Sequence, residues 1–160
     1  MAPMIRRRAV RAILLTPEAR VLLMRIAVQG RCFWIAPGGG IQARETAAQA
    51  LHRELSEELG LEPRPLGPLL RRREHQTTLY GQRWCQYEEF FLIPITRFQP
   101  RMRDRIEAKS LREFRWWHLD ELADTAEQVT PTGLHRIVTD YLRDGPPSTA
   151  PGIEQIIDPE

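Results

Sequence analysis

Residues 39–61 read GGIQARETAAQALHRELSEELGL, and this stretch decides the expected fold and chemistry of the chain. From Glu45 to Leu59 it contains no glycine or proline, and strong helix formers dominate. Its apolar residues recur at spacings of three and four, as in a helix that packs one face on a core. They are Ala48, Leu51, Leu55 and Leu59. The stretch therefore predicts an amphipathic helix that Gly60 ends as a C-cap glycine.

Three glutamates of this helix, Glu54, Glu57 and Glu58, share a face away from the apolar stripe because they stand at i, i+3 and i+4. Like charges at these spacings destabilise a helix by about 0.2–0.5 kcal/mol per pair. Arg53 alone does not neutralise them, whereas a hard divalent cation would, since Mg²⁺ and Mn²⁺ prefer oxygen ligands. Taken alone, the helix also fits a solvated glutamate face, which is common in soluble proteins.

The glycine run before the helix favours the metal site. Gly38, Gly39 and Gly40 bring bare backbone to the helix start. A carbonyl there can ligate a metal ion, and the amides can meet phosphate oxygens. Since Mg²⁺ commonly binds through a few carboxylates plus substrate phosphates, the combination predicts metal-assisted hydrolysis of a phosphoanhydride.

The same stretch resembles the Nudix box of the Nudix (MutT-type) hydrolases. In that signature five residues separate a glycine from a glutamate, and seven further residues separate the glutamate from an Arg-Glu pair. An aliphatic residue, any residue, Glu-Glu, any residue, glycine and an aliphatic residue then follow. All nine positions match: Gly39, Glu45, Arg53, Glu54, Leu55, Glu57, Glu58, Gly60 and Leu61. By average residue usage, a chance match is on the order of one in a billion per window.

The resemblance implies an α+β fold, the Nudix α/β/α sandwich, with a mixed central sheet, a catalytic loop-helix and a C-terminal helix. It also implies an enzyme that hydrolyses the pyrophosphate linkage in a nucleoside diphosphate linked to another moiety, such as a nucleoside triphosphate or a nucleotide sugar. Two alternatives are a non-catalytic nucleotide-sensing module and an RNA-end pyrophosphohydrolase. Sensors usually lose box glutamates, which are all present here. RNA processing would favour a larger basic surface than residues 6–8 and 71–73 supply.

Carried over by position, the resemblance implies a role for each charged residue of the box. Glu57 is the central metal ligand, and Glu54 and Glu58 contribute ligation or activate water. Arg53 orients these carboxylates through charge-assisted hydrogen bonds. Glu45 holds the loop–helix junction or binds a further metal ion. The implied cofactor is Mg²⁺, with Mn²⁺ as the alternative.

The loop before the helix is the expected substrate-binding segment, formed by Gly38, Gly39, Gly40 and Arg44, and the Gly38 carbonyl is a further expected metal ligand. Arg44 stands where glycine is frequent in the family, so it either alters the loop geometry or reaches a phosphate.

Some family members place the general base outside the box, in a loop before a late strand. The matching stretch here makes Glu107 the candidate base. Its rivals are Glu113 and the neighbouring pair Glu88 and Glu89. Each of these residues also fits a plain surface charge.

The remaining pattern predicts strands over residues 9–15, 21–24, 33–36, 69–78, 83–95 and 114–117, and helices over residues 118–123 and 131–142. With 160 residues, the chain fits one domain, expected over residues 1–144. A Pro/Gly/Ser-rich composition predicts a flexible tail over residues 145–160.

Composition narrows the setting of the protein. No run approaches the roughly 20 apolar residues of a membrane span, so no membrane partner is expected. Cys32 and Cys85 have neither metal-site nor disulfide spacing, which indicates reduced thiols and a cytoplasmic location. The basic residues comprise one lysine and 22 arginines at a net charge of +2, so nucleic-acid binding is not expected. The expected partners are a small nucleotide substrate and, as in many small family members, a second copy in a homodimer.

Overall fold

A computed structural model describes residues 3–103 and 110–158. The elements, in chain order, are β1 (Ile5–Leu15), β2 (Arg20–Val28), β3 (Arg31–Ile35), β4 (Gly38–Gly40), α1 (Ala47–Leu59), β5 (Leu69–Leu79), β6 (Gln82–Pro94), β7 (Leu111–His118), α2 (Leu119–Asp124), β8 (Val129–Thr130), α3 (Leu134–Asp144) and β9 (Ile153–Ile157). Every strand and helix expected from the sequence is present, with ends shifted by a few residues.

The strands form one mixed sheet in the order β8-β3-β2-β1-β6-β5-β9, with β4 paired to β1 and β7 paired to β2. The β1 strand lies at its centre, parallel to β6 along its whole length and antiparallel to β2 and β4. Parallel pairs also join β3 to β8 and β5 to β9. The predicted mixed sheet is therefore confirmed.

Alternate residues of β1 face two different cores, because successive side chains of a strand point to opposite faces of the sheet. One core contains Val10, Ala12 and Leu14 of β1 together with the apolar stripe of α1. The other contains Ile13 and Leu15, packed with the buried face of α3. The sheet thus lies between α1 on one side and α2 with α3 on the other, which is the predicted layered arrangement.

Two segments differ from the sequence-based expectations. The three glycines before α1 form the short strand β4 on β1, which the expected strands do not include. The segment expected to be a flexible tail contains β9, which pairs in parallel with the edge of β5. The Pro/Gly-rich composition hid this strand, although residues 153–157 read IEQII and suit a sheet edge that would otherwise be open.

Among the described residues, no helix combines the length and hydropathy that a bilayer crossing requires.

Candidate active site

Helix α1 is held at both ends, which fixes the position of its glutamates. At the N-terminus, Thr46 and Gln49 form a capping box: the Thr46 hydroxyl accepts from the Gln49 amide at 3.1 Å, and the Gln49 side chain accepts from the Thr46 amide at 2.9 Å. At the C-terminus, Gly60 adopts a left-handed conformation with φ of 69°. The predicted C-cap glycine is therefore confirmed.

The chain returns to the C-terminal end of α1 after β6. There the Arg101 amide donates to the Leu59 carbonyl at 2.9 Å, and the Arg103 amide donates to the Glu57 carbonyl at 2.7 Å. Carbonyls at a helix end lack partners within the helix, so these two bonds satisfy groups that would otherwise need water. They also tie the backbone of Glu57 to residues 101–103.

The glycines of β4 let the backbone lie directly against the carboxylates of α1. The Gly38 amide donates to Glu58 Oε1 at 2.8 Å. A Cβ atom on Gly39 would stand 2.5 Å from the Glu54 carboxylate carbon, and one on Gly38, whose φ is 142°, would collide with the Val10 carbonyl. These positions therefore require glycine for close approach and for backbone conformation.

Arg53 connects most of the acidic residues of the box. Its Nε and Nη2 atoms donate to the two carboxylate oxygens of Glu45 at 2.8 and 2.9 Å. Its Nη1 atom donates to Glu54 Oε1 at 3.0 Å and lies 3.6 Å from Glu57 Oε2, while Nη2 also donates to the Gly40 carbonyl at 2.9 Å. One planar guanidinium thus links the loop, the helix start and two of the three helix glutamates.

Both carboxylate oxygens of Glu45 accept hydrogen bonds at the loop–helix junction. Both of its oxygens accept hydrogen bonds from Arg53, and Oε1 also accepts from the Gln42 amide at 2.8 Å. The hydrogen bonds from Arg53, followed by the one from Gln42, lower the pKa of Glu45 to about 2. Of the two roles considered for Glu45, this arrangement fits the junction rather than metal ligation.

The helix glutamates differ in exposure. Glu54 and Glu58 are each 6% exposed, whereas the Glu57 side chain is 38% exposed. Their face was expected to lie away from the core stripe, yet two of the three are buried because β4 covers them. Within the described residues, no three His, Cys, Asp or Glu side chains stand close enough together to hold a metal ion.

One carboxylate oxygen at this place nevertheless fits a cation. Glu54 Oε2 is buried and lacks a hydrogen-bond partner, while Oε1 of the same group binds Arg53. A buried, unpaired carboxylate oxygen is costly unless a cation or donor meets it. Since Glu58 lies beside it and hard oxygen ligands suit Mg²⁺ or Mn²⁺, the donor set fits a divalent cation.

Arg44, the departure from the usual loop, is exposed and has a φ of 69°. This left-handed conformation explains in physical terms why glycine suits the position. The structure therefore shows an effect on loop geometry, whereas contact of Arg44 with a phosphate stays a prediction.

Of the candidate bases outside the box, those within the described residues are not gathered at the cleft. Glu107 lies outside the described residues. Glu113 pairs with Arg25 at 3.1 Å, in an exposed ion pair. Glu89 accepts a hydrogen bond from the Tyr87 hydroxyl at 3.4 Å.

Glu88, the last of these candidates, is buried in an ion cluster on the other face of the sheet. Its Oε2 lies 2.6 Å from Arg11 Nε, and its Oε1 accepts from Arg73 Nε and Nη2 at 2.9 and 2.7 Å. Burial alone would raise the pKa of Glu88, but the two guanidinium charges and their hydrogen bonds lower it to about 2. A carboxylate so weakly basic and so fully paired is poorly suited to accept a proton.

Two cavities share the side chains of Arg7 and Arg11. We call the first the acidic cleft; it has a volume of about 210 Å³, and its lining includes Gly38, Gly39, Glu54 and Glu58. We call the second the aromatic groove; it has a volume of about 360 Å³, and its lining includes Phe33 and Trp84. Arg7 is exposed, and no hydrogen bond or ion pair joins it to another described residue.

Sequence reasoning missed the groove residues. Trp34, Trp116 and Trp117 have side chains suited to base stacking, but all three are buried in the cores. In the sequence, Arg7 stands out only as part of the short basic run of residues 6–8. The available signal was the spacing of Arg7 and Arg11, which places both on one face of β1.

Comparison with known proteins covers most of the chain. The NUDIX domain model matches residues 5–137. An RNA pyrophosphohydrolase of Halorhodospira halophila is 32% identical over 146 residues, which cover 79% of this chain and 76% of that protein. An RNA pyrophosphohydrolase of Stutzerimonas stutzeri is 38% identical over 94 residues, which cover 52% of this chain. The match spans only 58% of that second relative.

Solved structures share the fold. The MutT protein from Methanosarcina mazei has a TM-score of 0.64 at 16% identity and covers 90% of this chain and 98% of its own. The MutT NUDIX hydrolase from Burkholderia pseudomallei has a TM-score of 0.64 at 23% identity, covering 83% and 96%. Because the family model spans most of the chain and the sheet and helices match these folds, the chain belongs to the Nudix hydrolase family, as its sequence predicted.

Proposed function

We propose that this Nudix hydrolase cleaves the pyrophosphate linkage in a nucleoside diphosphate linked to another moiety, such as a nucleoside triphosphate or a nucleotide sugar. The observation that carries the proposal is the exposed guanidinium of Arg7, which lines both the acidic cleft and the aromatic groove and has no hydrogen-bond or ion-pair partner among the described residues. Arginine suits phosphate because its planar donors can bind two oxygens at once. A diphosphate bound at Arg7 would extend into both cavities.

The groove would hold the nucleoside. Phe33 and Trp84 are partly exposed aromatic side chains in its lining, and stacking on such rings is worth about 1–3 kcal/mol per base. Its volume of about 360 Å³ falls in the range of small-ligand sites.

The acidic cleft would hold a divalent cation, Mg²⁺ or alternatively Mn²⁺, through Glu54, Glu57 and Glu58. The unpartnered Glu54 Oε2 supports this assignment. The Gly38 carbonyl is a further proposed ligand, whereas the engagement of Glu45 by Arg53 favours a positioning role for Glu45. When bound, the cation would polarise a phosphoryl oxygen and lower the pKa of an attacking water.

The protein groups would supply the remaining steps. Arg7 would bind the phosphate chain and offset its charge, and the amide of Gly40 would face its oxygens. Arg53 would hold Glu54 and Glu57 in place. One helix glutamate would take the proton of the attacking water, and Glu107 is kept as the proposed base from outside the box.

Phosphate or nucleotide release from a panel of nucleoside triphosphates, nucleotide sugars, ADP-ribose and dinucleoside polyphosphates tests the proposal, with and without Mg²⁺ or Mn²⁺. We expect metal-dependent turnover of one class, and a fall of about 10²–10⁴-fold in kcat for Glu57→Gln. The matched control is Glu62→Gln, an exposed glutamate just beyond the helix, which should retain full activity. Equal loss in both variants would contradict the assignment. Nucleotide-induced stabilisation without turnover would favour the sensor module.

A second candidate substrate is the triphosphate end of an RNA. Exposed Arg6 and Arg8 flank Arg7 and line a further cavity with it, and the two curated relatives above are named RNA pyrophosphohydrolases. A triphosphorylated oligonucleotide should then have a kcat/KM above that of the free triphosphate. That advantage should fall steeply with salt, because phosphate contacts release counterions. Equal values for both substrates would leave the small nucleotide as the substrate.

A cytoplasmic location and a homodimer are also proposed. The free thiols of Cys32 and Cys85 support a reducing compartment. Size-exclusion chromatography with light scattering tests the dimer.

A further inference from the structure

The aromatic groove has a wall that the C-terminal strand supplies. Strand β9 runs parallel to β5 with Ile156 opposite His75, and the Asp158 amide donates to the Gln76 carbonyl at 2.9 Å. These backbone bonds hold Asp158 at the end of β9. Both Ile156 and Asp158 line the groove.

The side chain of Asp158 is oriented by a histidine. Asp158 Oδ2 lies 2.9 Å from His75 Nε2, and the two side chains are 35% and 25% exposed. Among the described residues, His75 is the hydrogen-bond partner of this carboxylate. A carboxylate has about four lone-pair sites, so one hydrogen bond from histidine leaves most of its accepting capacity open.

Asp158 is opposite in charge to the arginines that line the groove. The other charged residues of its lining are arginines, and no other carboxylate lines it within the described part of the chain. A carboxylate near phosphates would weaken the binding of a polyphosphate ligand. It must therefore face a part of the ligand that offers hydrogen-bond donors rather than negative charge.

The sheet register gives the separation between Asp158 and Arg7. Arg7 pairs with Gln86, Gln86 with His75, and His75 with Ile156, so one row of residues crosses from β1 to β9. Three strand spacings separate the two ends, which is roughly 14 Å at about 4.8 Å per strand. A nucleotide whose phosphates bind at Arg7 would thus direct its base toward Asp158, with Trp84 of β6 between them.

We propose that Asp158 is a specificity-determining residue that reads a base edge carrying two adjacent N–H donors, and that His75 is its positioning residue. This inference rests on the proposed function. A carboxylate can accept two parallel hydrogen bonds, one on each oxygen. On their pairing edges adenine and cytosine present a donor beside an acceptor, and uracil presents one donor between two acceptors. Guanine presents N1–H beside N2–H, so it is the base that this site favours.

The test compares Asp158→Asn with wild type in the full chain, using GTP, ATP, CTP and UTP with Mg²⁺. Asparagine keeps the size but replaces one acceptor by a donor that faces the guanine donors. We expect KM for GTP to rise about 10- to 100-fold, as for a lost hydrogen bond to a charged group, with kcat within about twofold. The KM for ATP should change little. Asp124→Asn, on an exposed aspartate of α2, is the matched control and should leave the GTP-to-ATP ratio unchanged.

Two results would overturn the inference: a wild-type protein without preference for guanine, or a variant whose KM rises equally for all four bases. The second result, with a lower melting temperature, would mean that the His75–Asp158 pair only fastens β9 to β5. Asp158→Glu should restore part of the guanine preference, because it restores a carboxylate.

Binding of GMP and AMP without metal, followed through tryptophan fluorescence, separates this inference from the proposed function. Tighter binding of GMP, lost in Asp158→Asn, would support base reading even if no triphosphate were hydrolysed. Turnover of triphosphates with equal binding of GMP and AMP would support hydrolysis and refute the role of Asp158.

Discussion

Replacement of Glu88 by glutamine should destabilise the protein strongly, because Glu88 neutralises two guanidinium groups inside the sheet. Glu88 is 1% exposed, and the side chains of its partners Arg11 and Arg73 are 11% and 4% exposed. Glutamine has nearly the same volume but no charge. Arg11 would keep the Ala36 carbonyl and Arg73 the Thr130 hydroxyl as neutral partners. The variant therefore leaves two poorly solvated positive charges without a counter-ion among the described residues.

Two independent estimates give the magnitude. Breaking a buried ion pair by removing one partner costs about 3–5 kcal/mol. Separately, the pKa of Glu88 falls from 4.5 to about 2 on folding, and at about 1.36 kcal/mol per unit this corresponds to on the order of 3 kcal/mol. A domain has about 5–15 kcal/mol of stability in total, so the variant should lose a large part of it.

The pH dependence has a definite sign. Because the folded-state pKa of Glu88 is lowered, its contribution is complete above about pH 4.5 and is lost as the pH falls toward 2. At pH 3, the contribution of Glu88 to the free energy of unfolding should be smaller by roughly 2 kcal/mol. The gap in free energy of unfolding between wild type and Glu88→Gln should therefore narrow by about this amount between pH 7 and pH 3.

Urea unfolding at pH 7 and pH 3, followed by circular dichroism, measures both quantities. Glu89→Gln is the control, since Glu89 is the next residue of β6 and points to the opposite face. It should lose less than about 1 kcal/mol, as surface substitutions do. A loss below about 1 kcal/mol at pH 7 for Glu88→Gln, or an equal gap at both pH values, would refute the reasoning.

Three further predictions concern the cleft and its loop. Arg53→Lys should reduce Mg²⁺ affinity or kcat about 10- to 100-fold, because lysine cannot reproduce the forked contacts to Glu45 and Glu54. Activity measured over a titration of Mg²⁺ gives both quantities, and an unchanged titration curve would contradict this prediction. Gly39→Ala should reduce Mg²⁺ affinity or kcat by a similar factor, because its Cβ would displace the Glu54 carboxylate. Gly152→Ala is the control and should change neither, since a Cβ there meets no other atom within 4 Å. Arg44→Gly should be about 1 kcal/mol more stable than Arg44→Ala in thermal unfolding, because φ is 69°; equal stabilities would disprove backbone strain there.

The sequence allowed prediction of features that are set by local spacing. The helix α1, its Gly60 cap and the shared helix face of Glu54, Glu57 and Glu58 all lie within about two dozen residues. The resemblance to a known signature added the expected roles of these residues. It could not show that β4 would bury two of the glutamates.

Features set by strand register were not predictable. Arg11 and Glu88 are 77 positions apart in the sequence, and their contact depends on which strands pair and in what register. Asp158 and His75 are 83 positions apart, and their contact depends on β9, which follows a Pro/Gly-rich segment. Such pairings follow from the whole sheet and not from any one segment.

The parallel pairing of β1 with β6 also bears on how the protein folds. These strands form the centre of the sheet, yet their partners are about 79 positions apart, as for Arg6 and Cys85. The chain between them must close a long loop before the pairing stabilises anything, so refolding should be slow compared with that of helical proteins of similar stability. The Arg11–Glu88 contact requires this register. It should therefore form late, and mutations there should speed unfolding more than they slow folding.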